Sequence, residues 1–83
     1  MYYGYILYSR FLDRYYVGSS QDLIERLKKH LNNHNGFTAK AKDWIIVFSI
    51  PFQTRAEALR WEKSVKRKKS RSYIEWLIKN EVV

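Results

Sequence analysis

Eighty-three residues are enough for one modest core and too few for two, so the chain is read as a single domain spanning 1–83. With 46% hydrophobic and 17% aromatic residues it has the apolar inventory to fold, which excludes a disordered chain. The lack of cysteine excludes a disulfide framework and a thiolate zinc site, and the net charge of +8 calls for a polyanionic partner, nucleic acid before any other.

No run approaches the roughly 18 apolar residues of a membrane span, and Met1-Tyr2-Tyr3 opens without the basic and apolar segments of a signal peptide. A soluble protein of the reducing cytoplasm is expected. Residues 2 to 8 alternate, with Tyr3, Tyr5 and Leu7 on one face and Tyr2, Ile6 and Tyr8 on the other, as a strand requires. A second strand is expected at 14 to 18, joined through a polar turn from Ser9 to Asp13, so that Tyr5 and Tyr16 come onto neighbouring strands of a hairpin. Ser19 and Ser20 interrupt the pattern.

From Gln21 to about Leu31, Leu23, Ile24, Leu27 and Leu31 recur at helical spacing. Asn32 to Asp43 has no period and reads as a loop carrying Lys40 and Lys42. Trp44 to Ile50 is nearly continuous apolar sequence, which predicts a third strand buried on both faces and ended by Pro51. Thr54-Arg55-Ala56-Glu57 is a capping box opening a helix to about Lys68, and Ser70 caps a third helix in which Tyr73, Ile74, Leu77 and Ile78 repeat.

At 100° per residue Glu62 falls inside the arc of Ala58, Leu59, Trp61 and Val65. A carboxylate there needs either a divalent metal or the ammonium of Lys66 one turn on. Arg26 and His30, four apart, share one shoulder of the first helix. The arginine can grip a phosphate with two donors or remain a solvated charge; the histidine can donate to a phosphate, move a proton or pack against the loop. Tyr5 and Tyr16 read as core rings with wet hydroxyls, or as phenols activated by a neighbouring cation. Gly18 lets the strand bend or another group approach. Six cations lie within nine positions, Lys63, Lys66, Arg67, Lys68, Lys69 and Arg71, a density suited to non-specific phosphate binding. Trp61 and Trp76 are assigned to core packing in preference to base stacking.

Taken together, Gly4-Tyr5-Ile6, Tyr16-Val17-Gly18, Arg26, His30 and Glu62 resemble the signature of the GIY-YIG nuclease superfamily. The resemblance is greatest to small stand-alone bacterial members similar to the catalytic module of the excision-repair nuclease, through Gly36-Phe37-Thr38, Trp44 and Ala58-Leu59-Arg60-Trp61-Glu62. It implies an α+β fold, a three-stranded antiparallel sheet flanked by three helices in the order β-β-α-β-α-α. It also implies one divalent ion, Mg2+ or Mn2+, on Glu62, and water attacking a DNA phosphodiester. The resemblance further implies that Tyr5 and Tyr16 position and deprotonate that water, with Tyr16 favoured as the base over Tyr5, and that Arg26 stabilises the transition state. His30 matches a histidine of several branches. The lysine that follows the second glycine in the repair branch is Ser19 here, and a late family asparagine has no counterpart.

The expected function is therefore a metal-dependent DNA endonuclease, with RNA a further possible substrate and a protein partner a possible source of targeting. A domain that binds nucleic acid on the same scaffold without cutting it is the alternative, and a protein-interaction module is a third reading. Too short to read a long site, the chain is expected to draw its specificity from DNA structure, from a short contact set or from a partner.

Overall fold

The computed structural model describes residues 1–32 and 34–80. Three strands, β1 (Tyr2–Ser9), β2 (Arg14–Ser20) and β3 (Ile45–Phe52), form an antiparallel sheet in the order β2-β1-β3. The helices are α1 (Leu23–Asn32), α2 (Arg55–Lys68) and α3 (Arg71–Asn80), which completes the predicted order β-β-α-β-α-α. Alternation along β1 supplies both sides of the sheet. Tyr5 and Leu7 join Ala41 and Trp44 under α1, while Ile6 joins Val17, Phe48 and Val65 under α2 and α3.

The hairpin turn is tied by polar groups. The buried Ser9 hydroxyl donates to Asp43 Oδ1 at 2.6 Å, and the Phe11 amide donates to the other oxygen of that carboxylate at 2.9 Å. Asp22 caps α1 by accepting from the Glu25 amide at 3.1 Å. At α2 the capping box forms as expected: Thr54 Oγ1 accepts from the Glu57 amide, and Glu57 accepts from the Thr54 amide. Ser70 accepts from the Tyr73 amide at 3.1 Å and so caps α3.

Five local expectations change. Because β1 occupies the centre of the sheet, β3 is an edge strand, half-covered and not buried on both faces, with Ile45 57% exposed. An edge also tolerates proline, so β3 continues through Pro51. Ser19 and Ser20 extend β2 because both pair with β1. In α1, Ile24 points outward at 60% exposure, and the loop after it contains a 3₁₀ turn over Phe37–Lys40 that buries Thr38.

Candidate active site

Tyr5 faces Gly18 across the β1–β2 ladder, and a β-carbon at Gly18 would lie 2.5 Å from the Tyr5 hydroxyl oxygen. The missing side chain makes room for the phenol. On the opposite face the Trp61 ring lies over Gly4 in the same way. The two motif glycines therefore seat two aromatic rings, one on each side of the sheet.

The Tyr5 hydroxyl meets His30 Nε2 at 2.9 Å, and His30 Nδ1 meets Thr38 Oγ1 at 3.1 Å. Trp44 Nε1 donates to the Thr38 carbonyl at 2.9 Å and closes this pocket. Burial, reinforced by the neighbouring Tyr16, pushes the Tyr5 phenol well above the ordinary tyrosine range; Arg26 opposes the shift and Glu62 adds to it. Burial, then the charge of Arg26, lowers the His30 imidazole. A protonated phenol beside a neutral ring satisfies both contacts when Tyr5 O–H donates to Nε2 and Nδ1–H donates to Thr38. Thr38 entered the sequence reading only as part of a loop motif, because nothing local signals that its side chain turns inward.

Tyr16, half-buried, sets its ring edge-on to His30 at 4.8 Å and stacks on Phe37 at 6.3 Å. Lys66 Nζ lies 5.7 Å from the same ring. Around the edge formed by β2, α2 brings Glu62 to the end of the strand. Its carboxylate accepts from Ser19 Oγ at 2.6 Å and from Lys66 Nζ at 2.6 Å, with the glutamate side chain 19% exposed. Of the two partners foreseen for Glu62, the ammonium is present. Ser19, where a lysine was missed, holds the other oxygen.

Glu62, Ser19 and Arg26 line a cleft of 260 Å³ with Tyr2, Ser20, Gln21, Arg55, Ala58 and Leu59. Arg26 also borders a second cavity with Lys29, His30 and His34. Its guanidinium makes no hydrogen bond or ion pair with any other described residue. Arg55 adds a second cation to the cleft. Sequence reading missed it because its neighbours Thr54 and Glu57 accounted for that segment as a helix cap. The structure thus joins Tyr5, His30 and Tyr16 in one aromatic wall and sets Arg26 and Glu62 in the adjoining cleft.

The basic residues divide. Arg71 donates to Asp13 Oδ1 at 2.7 Å and to Glu75 at 3.2 Å, so two carboxylates already claim it. Lys68 lies 5.4 Å over the Tyr73 ring, and Lys40 lies 5.5 Å over Phe37. Lys42 is exposed on the same loop. Lys63, Arg67 and Lys69 are exposed and make no ion pair with a described residue. Trp76 corrects the core assignment: it is 57% exposed and stacks on Tyr73. Trp61 does pack, in a stack on Phe48 at 5.8 Å.

Among the described residues no three carboxylates and imidazoles gather into a metal cage. The donors at the cleft do suit a hard cation of the Mg2+ type, which takes one or two carboxylates and keeps most of its water and phosphate ligands. One carboxylate and the hydroxyls of Ser19 and Ser20 provide oxygen only. For Glu62 to take part, the Lys66 ammonium, whose side chain is 49% exposed, has to release Oε2.

A family model of the GIY-YIG catalytic domain matches residues 1–79. The chain belongs to the GIY-YIG family. Among solved structures, the solution NMR structure of a UPF0213 protein from Bacillus halodurans is similar to this GIY-YIG chain at 31% identity, covering 95% of this chain and 84% of that one with a TM-score of 0.59. No curated protein matches it. The GIY-YIG domain is a nuclease domain, its substrate class is nucleic acid, and its nucleases generally use divalent metals. No helix among the described residues is long and apolar enough to cross a membrane.

Proposed function

We propose that this GIY-YIG protein is a metal-dependent endonuclease that hydrolyses DNA phosphodiesters in the cleft between β2, α1 and α2. The observation that carries the reading is the position of Arg26 and Glu62 in one cleft beside the Tyr5–His30–Tyr16 wall. Arg26, with no carboxylate of its own, grips the scissile phosphate and stabilises the extra charge that develops there. Arg55 approaches the same phosphate from the other side of the cleft.

Tyr16, acting as its phenolate, takes the proton of the attacking water as the water oxygen bonds to phosphorus; the bond to the departing sugar oxygen breaks, and that oxygen is protonated by solvent. Tyr5 is the poorer base, because burial and its bond to His30 keep it protonated; its role is to fix the wall on which Tyr16 rests. Glu62, oriented by the Ser19 hydroxyl, holds Mg2+ or Mn2+. The ion, when bound, neutralises phosphate charge and polarises the water. Lys66, released from Glu62, turns its ammonium towards the DNA backbone. A cytoplasmic setting and selection of DNA by structure follow from the same reading.

The decisive assay incubates supercoiled, branched and single-stranded DNA with the protein in Mg2+ or Mn2+, with and without chelator, beside Glu62→Ala. Metal-dependent nicking that Glu62→Ala lacks is expected. Equal products from both proteins on every substrate would leave the second reading, a nucleic-acid-binding domain without turnover. One observation favours that alternative: both Glu62 oxygens already have partners in Ser19 and Lys66.

A further inference from the structure

Next to the cleft, a separate groove of 390 Å³ runs between β2, the end of α2 and the start of α3. Its floor is apolar, made by Val17, Val65 and Ile74 with the rings of Tyr15 and Tyr16. Its rim holds the cations Arg14, Lys66, Lys69 and Arg71 and no carboxylate. Arg71 is neutralised by Asp13 and Glu75, and Lys66 pairs with Glu62, which leaves Arg14 and Lys69 as the rim cations with no ion pair to a described residue, Arg14 acting on Asp13 only through space.

The groove and the cleft are consecutive stations along one strand. Residues 14 to 17 of β2 line the groove, residues 19 and 20 line the cleft, and Lys66 at the groove reaches Glu62 at the cleft. Four residues of strand span about 13 Å, which is roughly two to four nucleotides of a polynucleotide chain. An apolar, ring-walled hollow with cations at its mouth matches one partner chemistry, a flat base whose sugar carries phosphate on either side. The bases of an intact duplex face each other and cannot enter it.

On the nuclease reading above, we propose that this groove receives an unpaired nucleobase a few nucleotides from the scissile phosphate. The substrate is then nucleic acid with a single-stranded segment beside the cut. Lys69 and Arg14 hold the flanking phosphates, and the Val17–Val65–Ile74 floor takes the base.

The test uses the intact protein in excess chelator, so that binding proceeds without cutting, and duplexes carrying a single-stranded arm with a fluorescent adenine analogue at successive positions. Emission is expected to change at one arm position near the junction and to stay constant at the others. Ile74→Glu is expected to abolish that change and to weaken binding of the armed substrate about tenfold while leaving blunt duplex unaffected. Lys69→Gln, an exposed change that leaves the floor intact, is expected to weaken armed substrate selectively should Ile74→Glu not fold. Uniform emission along the arm, or variants indistinguishable from the parent, overturns the proposal. A position-specific signal in a protein that cuts nothing in Mg2+ keeps the groove and removes the nuclease reading. Cleavage without such a signal, equal on blunt and armed DNA, does the reverse.

Discussion

Gly18 and Tyr5 stand opposite each other on β2 and β1, with the phenol resting where a β-carbon of residue 18 would be. The hydroxyl is bonded to His30, so the ring is not a loose tip that can step aside. Gly18→Ala is therefore expected to overpack the core, with a loss of about 1–3 kcal/mol in urea unfolding. In a Tyr5→Ala background, which empties the space, the same substitution is expected to cost far less. Equal costs in both backgrounds would show that the glycine serves the strand's backbone alone.

Tyr16 and Tyr5 differ in exposure and so in chemistry. Removing the Tyr16 hydroxyl with Tyr16→Phe is expected to lower the single-turnover cleavage rate about 100-fold or more, as loss of a general base does. Tyr5→Phe, which removes a buried hydrogen bond to His30, is expected to lower stability by about 1 kcal/mol and slow cleavage less. A larger rate loss in Tyr5→Phe would reverse the two assignments.

His30 sits below its ordinary value of 6.5 because burial, then Arg26, disfavours its charged form. Above about pH 6.5 both folded and unfolded chains keep the ring neutral and the stabilising contribution is whole. As pH falls below that point the unfolded chain takes up the proton first, so stability drops until the folded ring also titrates. His30→Gln, able to hydrogen-bond without titrating, is expected to flatten the dependence of the urea midpoint on pH just below 6.5. Asp13 and Asp43, held below the ordinary carboxylate range mainly by Arg71 and by the Ser9 hydroxyl respectively, lose their contribution only at lower pH.

The cationic run is expected to act unevenly on DNA binding. Neutralising Lys63 or Arg67 one at a time should reduce the slope of log affinity against log salt by about 0.9 for each residue that meets a phosphate, and neutralising Lys69 should do so on DNA with a single-stranded arm. Arg71→Ala should leave the slope nearly unchanged and lower the melting temperature, since Arg71 ties the hairpin's Asp13 to Glu75 on α3. A full slope change for Arg71→Ala in titrations across salt would mean that it leaves its carboxylates for DNA.

Much of the fold was written locally. The alternation of Tyr3, Tyr5 and Leu7 gave β1 its two faces, and Thr54-Arg55-Ala56-Glu57 marked the start of α2 because a capping box satisfies its donors within four residues. The β3 environment was not legible, because apolar runs look alike at the centre and at the edge of a sheet, and strand order is a long-range matter. Ile24 was misplaced for a related reason, since helical spacing identifies a stripe but the neighbouring element decides how wide a stripe is covered; Trp76, which lies off the Tyr73–Ile74–Leu77–Ile78 stripe, was assigned to the core by residue type alone.

Residue identities and their spacing alone determined the elements, the excess positive charge and the family resemblance carried by Gly4, Tyr5, Tyr16, Gly18, Arg26, His30 and Glu62. Only the tertiary structure decided that Ser19 and Lys66 share the Glu62 carboxylate, that Thr38 and Trp44 fix His30, and that Arg71 is already neutralised. Short-range order follows from backbone geometry and side-chain periodicity within a few residues. Hydrogen bonds between Ser19 and Glu62, or Arg71 and Asp13, join positions tens of residues apart and exist only once the sheet and helices have packed.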